Sequence, residues 1–105
     1  MAAIMVTQYR VNDGKGAEFA AIRQEMTPLI AKHGLSNRVW FGFIAGAAAG
    51  TYTSVLEAAD LVALAAGVQN MIDDPVWQAV NARLIGPGGV AAVLSITQAN
   101  ELAVA

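Results

Sequence analysis

The first hydrophobic run, Ala3 to Val11, reads Ala-Ile-Met-Val-Thr-Gln-Tyr-Arg-Val, and its β-forming residues predict a strand. Asn12-Asp13-Gly14 is a turn signal, and either Asn12 or Asp13 can cap a helix after it. From Lys15 to His33 the period changes. Phe19, Ile22, Met26, Leu29 and Ile30 recur in steps of three and four, which predicts one inward helix face. Pro28 removes a backbone donor inside that run and predicts a kink, while Gly34 can close the helix in the left-handed conformation.

A second strand is predicted over Asn37–Ala45, with Val39, Phe41 and Phe43 on one side and Trp40 and Ile44 on the other. Gly46–Gly50 makes a turn, and Thr51–Glu57 forms a third strand. No charge occurs between Val39 and Leu56, and Gly42, Gly46 and Gly50 repeat at the spacing of paired membrane helices. Trp40, Thr51, Tyr52, Thr53 and Ser54 lower the hydropathy of that stretch, so strand, turn and strand is preferred to a membrane span. Helical spacing returns with Leu61, Leu64, Ala65, Val68, Met71 and Ile72, and it breaks at Asp73-Asp74-Pro75. Asp74 as N-cap with Pro75 at the first helical position restarts a short helix whose inner stripe is Trp77, Val80 and Leu84. Gly86-Pro87-Gly88-Gly89 is a loop, Val90–Thr97 a fourth strand, and residues 98–105 a weakly helical or extended tail.

The order β-α-β-β-α-β is that of an α+β, ferredoxin-like domain: a four-stranded antiparallel sheet with its helices on one face. At 105 residues the chain is a single domain, residues 1–105. Strand two is apolar on both sides, and strand four sets Val90, Ala92, Leu94 and Ile96 against Ala91 and Val93. Composition sharpens the point, because 56% of residues are hydrophobic and only 13% charged, about half the usual charged share. A second apolar sheet face predicts a two-fold homodimer packed sheet on sheet.

These features resemble the dimeric α/β-barrel superfamily: the βαββαβ order, the apolar second face, and the step Asp74-Pro75-x-Trp77. Gly46-x-x-x-Gly50-Thr51-Tyr52 with Leu56-Glu57 is most similar to its small bacterial members, near the antibiotic-biosynthesis-monooxygenase-like and NIPSNAP-like groups. The resemblance spans about residues 3–97 and implies the dimeric barrel. It also admits several activities, from cofactor-independent oxygenation to isomerisation and haem degradation. The haem-degrading relatives use an Asn, a Trp and a His. Trp77 and His33 match in type but not in position, and no site is carried over.

Charge and cysteine exclude more than they assign. Six basic residues against eight acidic ones, with a net charge of −2, argue against nucleic acid, since the cations stand singly. The chain has no cysteine, hence no thiolate metal site or disulfide, which fits a reducing cytoplasm. A signal peptide is not expected, because no basic region precedes the short apolar start. No metal or cofactor site is expected: carboxylates are not clustered with the single histidine, and neither glycine loop is a nucleotide fingerprint.

The candidate site residues are His33, Trp77, Met26, Tyr9 and Arg38. His33, one residue before Gly34, is either a base or an axial haem ligand at a cavity mouth, or a histidine favoured by the helix C-terminus, and the last is preferred. Trp77, with Trp40, can wall a pocket for an aromatic ligand, although a core anchor is preferred for Trp77. Tyr9, Asn37, Arg38 and Arg83 can each orient a carbonyl or carboxylate, or stand in solvent. Two bent helices on a twisted sheet predict an apolar gap lined by Met26, Met71 and Trp77. The expected protein is therefore a cytoplasmic homodimer that binds a small hydrophobic or aromatic molecule. The alternatives are a cofactor-independent monooxygenase or isomerase, and an assembly module whose own side chains fill the gap.

Overall fold

The computed structural model describes residues 2–42 and 51–101. Four strands and three helices follow one another as β1 (Ala3–Val11), α1 (Gly16–Lys32), β2 (Ser36–Gly42), β3 (Thr51–Ala58), α2 (Leu61–Asp73), α3 (Pro75–Ile85) and β4 (Ala91–Asn100). The strands form one antiparallel sheet in the order β2-β3-β1-β4. This is the ferredoxin-like α+β fold that the sequence predicts, with the helices on one face. Phe43, Ile44 and the Gly46–Gly50 turn lie outside the described residues. Among those described, no helix is long and apolar enough to cross a membrane.

Alternation explains which face is covered. Ala3, Thr7 and Tyr9 of β1 are buried, as are Ser54, Leu56 and Ala58 of β3. Against them α1 sets Phe19, Ile22, Arg23, Met26 and Ile30, α2 sets Leu64 and Met71, and α3 sets Trp77 and Leu84. The expected gap between helices and sheet is occupied by the chain's own side chains, since Met26, Met71 and Trp77 are all core residues. α1 runs on through Pro28 to Lys32, and Gly34 takes the left-handed conformation at φ +78°.

Three expectations need correction. Neither Asn12 nor Asp13 caps α1: the N-cap is Lys15, without a side-chain hydrogen bond. Asn12 is drawn instead to the entry of β4, where its Nδ2 donates to the Gly89 carbonyl at 3.1 Å. β4 also continues past Thr97, because Gln98 and Asn100 find partners in Met5 and Ala3. Finally, β4 does not alternate cleanly. Gln8 pairs with Ser95 and Tyr9 with Val93, so Leu94 is an extra residue and the face reverses there.

The uncovered sheet face is more mixed than its strands' apolar residues suggest. Cross-strand partners share a face, so this side carries the row Arg38, Val55, Val6 and Thr97 and the row Trp40, Thr53, Gln8 and Ser95. Ile4, Val6, Val55 and Trp40 are its apolar positions, with threonines and Gln8 between them.

One close approach fixes the helix layer. A Cβ on Gly67 of α2 would lie 2.8 Å from Leu35 Cδ2 and 2.9 Å from the His33 carbonyl oxygen. Only a residue without a side chain lets α2 settle this tightly on the α1–β2 turn.

Candidate functional site

A cation lies inside the core. Arg23 sits four residues after Phe19 and three before Met26, on the stripe of α1 that faces the sheet. Only 7% of its surface remains exposed. Its Nη2 donates to Asn37 Oδ1 of β2 at 2.6 Å and to Ser54 Oγ of β3 at 3.0 Å. Nη1 donates to the Met26 sulfur at 3.1 Å, and Nε is buried with no hydrogen-bond partner. Asn37 is held in turn, its Nδ2 donating to Ser54 Oγ at 2.9 Å and to the Val55 carbonyl at 3.0 Å. No carboxylate belongs to this network, and none of the ion pairs among the described residues involves Arg23.

The Tyr9 ring lies 5.9 Å from the guanidinium carbon, at the outer reach of a cation–π contact. Burial pushes the Tyr9 hydroxyl above its ordinary range, with the charge of Arg23 opposing. Burial likewise draws Arg23 down, with Tyr9 opposing. At neutral pH the pair is a neutral phenol beside a cation.

Beside this network a cleft of about 270 Å³ opens between α1 and the β2–β3 edge, lined by Phe19, Ala20, Arg23, Gln24, Thr27, Val39 and Tyr52. Aromatic rings support its wall. Phe19 stands 5.6 Å from Tyr9 and 4.5 Å from Tyr52, and Tyr52 stands 4.8 Å from Phe41. A larger hollow of about 490 Å³ lies between α1 and α3, lined among others by Glu18, Ile22, Arg83 and Val90. Its charges are already matched, Arg83 with Glu25 and Glu18 with Lys15, so its size does not make it the better site.

The structure divides the sequence candidates between four places. Tyr9 and Met26 join the Arg23 network. Arg38 is exposed on the uncovered sheet face, paired across from Val55, and does not reach it. Trp77 is in the core at the start of α3. His33 caps α1, and its Nε2 lies 2.9 Å from Asp74 Oδ2. The other oxygen, Asp74 Oδ1, accepts from the Val76 N–H at 2.9 Å, the capping bond that the sequence predicts. Lys32 Nζ reaches Oδ2 at 3.3 Å. The hydrogen bond from His33, then that from Val76, with help from Lys32, hold the Asp74 carboxyl down at about 2. This cluster joins the ends of three helices, and its hydrogen bonds are accounted for within the chain. Arg23 was not among the sequence candidates. Its signal was positional: a cation on the inner stripe of α1, opposite the inward positions 37 and 54 of two strands.

No family model matches the chain, and no curated protein matches it. Solved structures do share its fold. SnoaB, a cofactor-independent oxygenase from Streptomyces nogalater, matches with a TM-score of 0.71 at 12% identity, over 98% of this chain and 95% of that one. A NIPSNAP domain protein from Burkholderia xenovorans matches with a TM-score of 0.71 at 22% identity, over 100% and 96%. A NIPSNAP family protein from Agrobacterium tumefaciens C58 matches with a TM-score of 0.69 at 20% identity, over 94% and 90%. At these identities the likeness defines the fold alone. It is the ferredoxin-like fold that the sequence resemblance implies, shared with NIPSNAP proteins and cofactor-independent oxygenases.

Proposed function

We propose that the protein is a homodimer that binds a small, largely apolar or aromatic molecule in the cleft between α1 and the β2–β3 edge. One observation carries the binding site: the core elsewhere is filled by Met26, Met71 and Trp77, whereas here Tyr52 and Val39 line open space above the buried Phe19 ring. Rings at that wall offer a flat molecule stacking area at little entropic cost. A neutral probe such as 2-naphthamide, titrated into isotope-labelled protein, tests this. Saturable amide shifts should centre on Ala20, Gln24, Thr27, Val39 and Tyr52. Shifts confined to other regions, or none, would refute the site.

The dimer is proposed through the uncovered sheet face, around Val6 and Val55 at its centre. Sedimentation should show a dimer at micromolar concentration, and Val6→Glu should give a monomer, because the charge would be buried without a partner. A wild-type monomer under those conditions refutes it.

A second reading, cofactor-independent oxygenation or isomerisation, is favoured by the neutral phenol of Tyr9 beside a buried cation. Such a pair can hold a proton next to a developing oxyanion. Oxygen uptake or a spectral change with a polycyclic phenol, lost in Tyr9→Phe, would support it. Binding without turnover would favour the first reading.

A further inference from the structure

We infer that the ligand of this cleft is a monoanion, a flat apolar molecule ending in one carboxylate that Arg23 receives. The inference rests on the cleft reading above and adds the charge of the ligand.

Arg23 is more than nine-tenths buried and lines the cleft, where it is the only charged residue among those described. Its partners in the protein are an amide oxygen, a hydroxyl, a thioether and the face of a phenol ring. Each is neutral, so none cancels the charge. Taking a guanidinium out of water is costly unless a countercharge meets it, and a structural arginine in a core is ordinarily matched by an acid. Here the described ion pairs supply none.

The same partners hold the group still. Asn37 and Ser54 clamp Nη2 from two strands, and Met26 takes Nη1 from the same helix. Nε remains without an acceptor. A buried cation that lines the cleft and has no countercharge among the described residues is a receptor for an anionic oxygen. Stoichiometry selects the class. One cation balances one carboxylate, whereas a phosphate monoester would bring a second negative charge into the same space with nothing to meet it. The apolar surface of Val39 and Tyr52, backed by the buried Phe19, then takes the rest of the molecule.

Three probes of one shape test this: 2-naphthoate, neutral 2-naphthamide and 2-naphthyl phosphate, each titrated at pH 7 and followed by amide shifts and calorimetry. Naphthoate should bind at least about tenfold more tightly than naphthamide, the least that a charge-assisted hydrogen bond provides. It should also bind more tightly than the phosphate ester. Arg23→Met, checked for folding by circular dichroism, should lower naphthoate affinity to that of naphthamide and leave naphthamide unchanged. Arg23→Lys keeps the charge without the fork and should retain a reduced preference for the anion.

Equal binding of naphthoate and naphthamide at the cleft overturns the anion inference while the cleft reading stands. So does tighter binding of the phosphate ester, or an anion preference that survives in Arg23→Met. If no probe shifts the cleft amides, both the cleft reading and this inference fail. Should Arg23→Met not fold, the wild-type comparison of the three probes still decides.

Discussion

Replacing Gly67 with alanine sets two effects of known size against each other. Helix propensity favours alanine over glycine by about 1 kcal/mol at an interior position. The new Cβ, however, would sit 2.8 and 2.9 Å from two carbons of Leu35 and 2.9 Å from the His33 carbonyl oxygen, well inside the ~3.5–4.0 Å at which carbon atoms rest. Neither neighbour yields easily. Leu35 is itself in the core. The turn that carries the His33 carbonyl is fixed by hydrogen bonds from Gly34 to Ala31 and from Leu35 to Ile30. Relief therefore requires α2 to lift from the α1–β2 turn, and overpacking of this kind costs about 1–3 kcal/mol. The expected balance is a loss of about 1 kcal/mol, which for a domain of this size lowers Tm by about 4–8 °C. Urea and thermal unfolding of wild type and Gly67→Ala measure it. An unchanged or raised midpoint would show that Leu35 swings aside, and that the close approach does not fix where α2 sits.

Three further outcomes follow from the geometry. Asp74→Ala removes the cap of α3 and the partner of His33 together, so Tm should fall by about 4–8 °C or more, whereas a simple surface carboxylate would leave it unchanged. The Asp74 carboxyl is held down at about 2, so its contribution is whole above the ordinary value of 3.8 and is lost as pH falls from there to about 2; the stability gap between wild type and Asp74→Asn should close over that window, and a gap constant from pH 5 to 2 would contradict the bond with His33. Phe19→Ala removes a buried ring that meets both Tyr9 and Tyr52, and equilibrium unfolding should show a loss of about 3–5 kcal/mol, with a loss under 1 kcal/mol refuting the packing described.

Local signals were legible where one residue decides the backbone. The strand Ala3–Val11, the left-handed Gly34 and the restart at Asp74-Pro75 could all be read directly, because glycine and proline geometry and capping chemistry act within a few residues. Long-range choices were not. Asn12 has the chemistry of a cap but serves β4, almost eighty positions away. The Leu94 bulge depends on how β4 meets β1, which no alternation within β4 reveals. Arg23 was hidden for a related reason. A cation reads as solvent-facing until Asn37 and Ser54, brought close by the sheet, are known to receive it.

The Leu94 bulge matters beyond the register of one strand pair. Among the described residues β4 is an outer strand of the sheet, and its ten residues include neither a charge nor a proline. Lysine, proline and inward-pointing charges are the common guards against a foreign strand adding itself to such an edge. β4 has none of them, and Leu94 and Ile96 stand exposed on it. What it does have is one residue too many. A bulge bends the strand and tightens its twist, dividing the outer row of backbone donors and acceptors into two short stretches on either side of Leu94. A flat partner strand can then match one stretch but not both. Deleting Leu94 would restore a long regular edge, and with it the hazard of indefinite strand addition.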